Sequence, residues 1–198
     1  DSVSSTTGMA RRLADWINTA LNDVETAHTD WGWMRNSFSF PTVSGQSEYT
    51  PASIILTSDF AEWETQQVRN YATAVGLDSE IFMDMIDYDT WRDAYLYGAT
   101  RSVRSRPLQF AIAPNKSLCL GPVPDGNYTI TGFYFRKPQV LVGDTDNPDM
   151  PDQFHMMLVY KAMMYYGEYK KASEVYQHGE IEFKKLMERL TNSRLPPA

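Results

Sequence analysis

Three histidines, one cysteine and an acid-rich loop are the places where this chain of 198 residues could do chemistry. A zinc site draws His and Cys at short fixed spacings, and a nucleophilic Cys needs a cationic neighbour that holds it as thiolate. His28, His155 and His178 stand in no HExxH, HxH or Cys-His spacing. Cys119 lies between Leu118 and Leu120 in an apolar stretch, the setting of a small buried hydrophobe. The loop GDTDNPDMPD, residues 143–152, spaces Asp144, Asp146 and Asn147 or Asp149 as the first half of a calcium loop would. Yet Asp149 occupies the place of the turn glycine and His155 that of the final bidentate glutamate, so the match fails. The acidic groups read instead as favourable charge ahead of a helix opened by Pro151. GxSxG, SxxxK and phosphate-loop patterns are absent, and the eleven glycines are scattered as turn formers. The expectation is no catalytic residue, no cofactor, no metal, and a protein that is not an enzyme.

Charge points the same way. The net charge is −7, which argues against a general nucleic-acid binder, whose affinity comes from Lys and Arg neutralising phosphates. Arg101, Arg104 and Arg106, in RSVRSR, form a local basic cluster with no stacking aromatics interleaved. Such a cluster suits a solvated loop or a contact with another protein. With 42% hydrophobic and 13% aromatic residues the chain is folded, and no apolar run approaches the ~18–20 residues of a membrane helix. The first residues lack the pattern of a signal peptide, and one cysteine makes no intrachain disulfide, so synthesis in a reducing cytosol is expected.

The elements that must position these residues follow from periodicity. Thr6 or Thr7 can cap a first helix whose stripe runs Met9, Leu13, Trp16, Ile17, Ala20, Leu21, Val24, Ala27. From Trp31 the period becomes two, with strands around Phe38–Phe40 and Tyr49 joined by a turn at VSGQS. Residues 60–86 leave strand and helix open, with strand favoured over 66–75 and a strand buried on both faces over 80–86. Asp87 or Asp89 caps a short helix near 88–97, stopped by Gly98. Strands are expected over 108–113, 117–120 and 128–136, the last two separated by GPVPDGN. The chain closes on an αα-hairpin. Its first helix carries Phe154, Leu158, Ala162 and Tyr165, widened by Met157 and Met164, and is interrupted at Gly167. Its second carries Ala172, Val175, Tyr176, Phe183, Leu186, Met187 and Leu190, broken at Gly179, with an extended tail after Leu190. Distant amphipathic helices bury their stripes together, so the first helix should lie on the hairpin. The fold class is α+β: a helical bundle, made of the N-terminal helix (1–33) and the C-terminal hairpin and tail (149–198), with an inserted β-rich domain (34–148).

In order, the segments WINTALNDV, WGWMRNSFSF…SGQSEYTPAS, DYDTWRDAY, RSRPLQFAIAPNKSLCLGPVPDGNYTITGFYFRKPQVL and MPDQFHMMLVYKAMMYYGEYKKA resemble the head-to-tail adaptor (connector) proteins of tailed bacteriophages, the group that includes tail tubular protein A. The resemblance spans about residues 9–192 and rests on segment order. It implies a structural virion protein made in the host cytoplasm, a homo-oligomeric ring of twelve subunits beneath the portal protein. The ring would lengthen the DNA channel for ejection, pass the genome without sequence-specific binding, and offer a surface to the downstream tail or nozzle protein and tail fibres. No cofactor and no membrane enter. The partner contacts implied are Arg101, Arg104, Arg106, and the tail residues Arg194, Leu195, Pro196 and Pro197, where two prolines end any helix. The alternatives are another neck or tail-completion protein, a tetratricopeptide-like helical module, whose repeat occurs here once, and an enzyme with an unrecognised site.

Overall fold

The computed structural model of the chain describes residues 7–28, 31–55 and 57–194, the last by its backbone alone. In chain order the elements are α1 (Gly8–Thr26), β1 (Arg35–Pro41), β2 (Glu48–Tyr49), α2 (Pro51–Ile54), β3 (Phe60–Ala72), β4 (Ile81–Phe82), β5 (Asp84–Met85), α3 (Tyr88–Tyr95), β6 (Gln109–Ile112), β7 (Leu118–Gly121), β8 (Tyr128–Arg136), α4 (Met156–Lys170) and α5 (Ser173–Arg194). The class is mixed α+β. Two compact units result, one of residues 1–35 with 137–198 and one of residues 36–136; residues 137–148 thus group with the helices.

In the helical unit α1 lies along α4. Trp16 sits against Tyr166 and Tyr169 at ring-centroid distances of 6.3 and 5.7 Å. Two turns further on, Tyr165 donates its hydroxyl to the Asp23 carboxylate, which Lys161 also approaches to 3.3 Å. Ala20, Leu21 and Val24 of α1 are sealed in a cluster with Trp31, Met157, Leu158 and Leu190. Fully burying side chains of this size contributes about 1.5–3 kcal/mol each before entropy is subtracted. The first half of the stripe behaves differently: Leu13 is 40% exposed. The α1 N-cap also departs from expectation, since Thr7 makes no side-chain capping bond, while Thr6 lies outside the described residues.

The segment returning from β8 is tied to α1 by side chains. The Asn18 amide donates to the Leu141 carbonyl (2.9 Å) and its carbonyl accepts from the Leu141 N–H (2.7 Å), which is what a neighbouring strand would do. Seven residues along, the buried Glu25 carboxylate accepts from the Gln139 N–H at 2.8 Å. Pro151 leads not into α4 directly but into a single 3₁₀ turn, Asp152–Phe154.

Neither hairpin glycine breaks a helix. α4 runs through Gly167 and reverses at Lys171, which adopts the left-handed conformation (φ 54°). A Cβ at Gly167 would lie 2.8 Å from the Tyr176 nitrogen, and one at Gly179 would lie 2.7 Å from the Tyr160 carbonyl oxygen. Glycine at both positions lets the α4 and α5 backbones approach more closely than any side chain permits. The helix also persists past Leu190 to Arg194, where the sequence predicts an extended tail; residues 195–198 lie outside the described residues.

The second unit is built from two four-stranded sheets, β1-β8-β3-β4 and β2-β7-β6-β5. Their facing sides bury Phe38, Phe40, Trp63, Val68, Phe110, Leu118, Leu120, Ile130 and Tyr134 together. Trp91 of α3 packs on Ala111, Ala113 and Cys119. Asp87 caps α3 by accepting from the Asp89 and Thr90 N–H groups. The VSGQS turn forms, with Gln46 N–H donating to the Val43 carbonyl, but the strands it joins are not partners: β1 neighbours β8 and β2 pairs with β7. The open stretch 60–86 is strand over the thirteen residues of β3, which carries an irregularity between Glu64 and Arg69, followed by a turn and a 3₁₀ segment, Leu77–Ser79, ahead of β4. The expected two-faced strand over 80–86 is two short edge strands around buried Met83, with Phe82 and Met85 exposed.

Candidate interaction surfaces

The titratable groups singled out in the sequence are engaged in packing. Cys119 in β7 is fully buried, and burial, with a smaller push from the Glu48 carboxylate, raises its thiol pKa to about 12, far from a reactive thiolate. His28 stands edge-on to Trp31 at 4.9 Å and His178 edge-on to Tyr160 at 6.1 Å. The ring of His155 meets the Met150 carbonyl at 2.9 Å. In the acidic loop, Asp146 accepts from the Val142 and Gly143 N–H groups at 2.7 Å, and these bonds hold its carboxyl below its usual value. It closes a turn. Among the described residues no group of three or more His, Cys, Asp or Glu is placed to hold a metal ion. Tyr165, raised by burial and by Asp23, is a donor in a helix contact rather than an acid or base.

An open groove of about 610 Å³ runs over the outer face of the first sheet, lined by Ser37, Ser39, Gln67, Arg69, Glu80 and Thr131 among others. Its charges are already committed: Arg69 pairs with Glu80 at 3.1 Å and lies over the Phe82 ring at 4.2 Å. Among the described residues that line it, no hydroxyl is hydrogen-bonded to a base, and what the groove presents is polar side chains.

The three arginines of RSVRSR separate. Arg106 turns inward, donating from Nε to the Asn70 side-chain oxygen (2.7 Å) and from Nη2 to the Asn70 and Ser79 carbonyls. That fork ties β3 to the turn after it, which removes Arg106 from the solvated cluster that the sequence suggested. Arg101 and Arg104 remain exposed. Arg104 is laid against the backbone of Gly45, in the VSGQS turn, where a Cβ would come within 3.1–3.2 Å of the guanidinium. Nothing in the sequence near Arg104 signals that Gly45, some sixty residues earlier, lies beside it. Arg194 ends α5, and Leu195, Pro196 and Pro197 lie outside the described residues.

No described helix is long and apolar enough to cross a membrane. No curated protein matches the chain. Residues 2–196, nearly the whole length, match the family model described as SU10 adaptor protein, and the chain belongs to that family of bacteriophage adaptor proteins.

Proposed function

We propose that the protein is a head-to-tail adaptor of the phage neck, related to tail tubular protein A, and acts without catalysis. In this reading about twelve copies form a ring beneath the portal protein, a closed symmetric assembly of the kind head-to-tail contacts generate. The ring prolongs the DNA channel and presents a surface to the downstream tail or nozzle protein and to tail fibres. The helices form a bundle and the sandwich is a β-rich domain inserted in it. The observation that carries the reading is the family match over residues 2–196. The net charge of −7 supports it, because an acidic passage repels phosphates and does not trap the genome. Contacts to neighbours are assigned to Arg101, Arg104 and the terminal Arg194, Leu195, Pro196 and Pro197.

The test is the oligomeric state of the purified full-length chain, alone and with portal protein, by native mass spectrometry and electron microscopy. A ring, free or on the portal, is the expected result. A monomer under both conditions would overturn the proposal. Deleting residues 195–198 is expected to leave the fold unchanged and to weaken portal attachment.

A further inference from the structure

Resting on the adaptor reading, we infer that the exposed Arg101–Arg104 patch of one copy receives the acidic loop 143–152 of the next copy. Three loops of the sandwich build the patch. Gly45 N–H donates to the Pro124 carbonyl (2.9 Å), Ser105 N–H donates to the Val123 carbonyl (3.0 Å), and Arg104 bridges to Val123. Arg104 is thereby seated on Gly45, whose φ of +86° and whose missing Cβ both require glycine. Arg101 sits one turn earlier, in the 3₁₀ segment Ala99–Ser102. Val43, Tyr97 and Val103, within a few residues of Gly45, Arg101 and Arg104 along these loops, are each more than half exposed. Neither arginine forms an ion pair with a described residue, whereas Arg69, Arg92 and Lys161 do. On a chain of net charge −7, two cations without acidic partners beside three exposed apolar side chains form a surface prepared for an acidic and partly apolar protein segment.

The chain carries one of that composition. Between Lys137 and Lys161 there is no Lys or Arg, and the loop supplies Asp144, Asp146, Asp149 and Asp152, which carry net negative charge although each also has a partner within its own chain. Just ahead of it Val140 and Val142 point outward, more than half exposed, because Asn18 fixes the intervening Leu141. Arginines beside valines would therefore meet carboxylates beside valines. The two surfaces are different parts of the chain, so the contact joins unlike patches, the heterologous kind that rings are built from. Duplex DNA is the poorer occupant: two cations neutralise few phosphates, and the apolar rim gains nothing from them.

The test uses full-length protein with charge reversal on either side: Arg101→Glu with Arg104→Glu, and Asp144→Lys with Asp149→Lys. Asp146 is left intact because it closes the loop turn. Unchanged thermal melting establishes that both variants fold. Each alone is expected to need a protein concentration higher by about tenfold or more for half-assembly. An equimolar mixture of the two should assemble as the wild type does, through alternating contacts. Assembly of either variant at the wild-type concentration would overturn the inference and leave the adaptor reading standing. So would a mixture that fails to assemble, or a patch variant that keeps its assembly and instead loses retardation of duplex DNA. A wild type that forms no ring, free or on the portal, would sink both.

Discussion

The two units of the molecule close their apolar cores to different degrees. In the sandwich, Phe110, Leu118, Leu120 and Ile130 are fully sequestered between the inner faces of the two sheets, and exposure is left to edge residues such as Phe82 and Met85. In the helical unit α1 is sequestered only from Ala20 onward, and Leu13, Met156, Val159, Tyr169 and Ile181 stay 40–54% exposed. Length accounts for part of this. α1 has 19 residues and its partner α4 has 15, so about 6 Å of α1 extends past the helix that covers it. A sheet pair completes its core inside one chain. A helix stripe does so only as far as its partner reaches, and the uncovered remainder is apolar surface.

The comparison can be broken in three places. Phe110→Ala, in the closed core, is expected to cost about 3–5 kcal/mol, since the facing sheets cannot collapse into the void. Denaturant unfolding of the full chain measures it, and a loss under about 1 kcal/mol would show that the sandwich is not closed as described. Gly179→Ala comes next, at about 1–3 kcal/mol: the helix propensity gained, about 1 kcal/mol, is outweighed by a methyl group driven against the Tyr160 carbonyl, a backbone atom that cannot swing aside. Stabilisation by this substitution would mean that the two helices pack less closely. The smallest effect is expected at Leu13→Ala, about 0.5 kcal/mol or less in the isolated subunit, because an exposed side chain leaves no cavity. A loss above about 2 kcal/mol there would contradict the uncovered first turns of α1. A larger effect on assembly than on melting would sharpen the contrast, by placing that stripe between copies.

Much of the fold was legible because its signals are local. The α1 periodicity, the Asp87 cap, the strands at 109–112, 118–121 and 128–136, and the burial of Cys119 all follow from neighbours within a few residues. Pairing was not. The turn at VSGQS forms as its residues predict, yet nothing near β1 announces that its partner is β8, nearly a hundred residues on. Glycine misled for a related reason. At Gly167 and Gly179 the missing side chain signals close approach to a second helix, and one-dimensional spacing cannot distinguish that from a break. The candidate contacts divided along the same line: the cluster of arginines was visible, but whether each faces solvent depended on Asn70 for Arg106 and Gly45 for Arg104, residues remote in sequence.

The adjacency of β1 and β8 has a kinetic consequence. Thr42, just past β1, donates its N–H to the carbonyl of Tyr128 at the start of β8, so the start of β1 and the end of β8 lie side by side. Docking α1 on α4 from the unfolded chain means closing a loop of more than a hundred residues, an entropic penalty that slows the search. Once the strands of residues 36–136 have paired, the same closure spans only the short connections on either side. The sandwich is therefore expected to fold first and to template the helices. Pulse-labelled hydrogen exchange during refolding should protect the Ile130 amide before that of Leu21, and the reverse order would show that the helices find each other unaided.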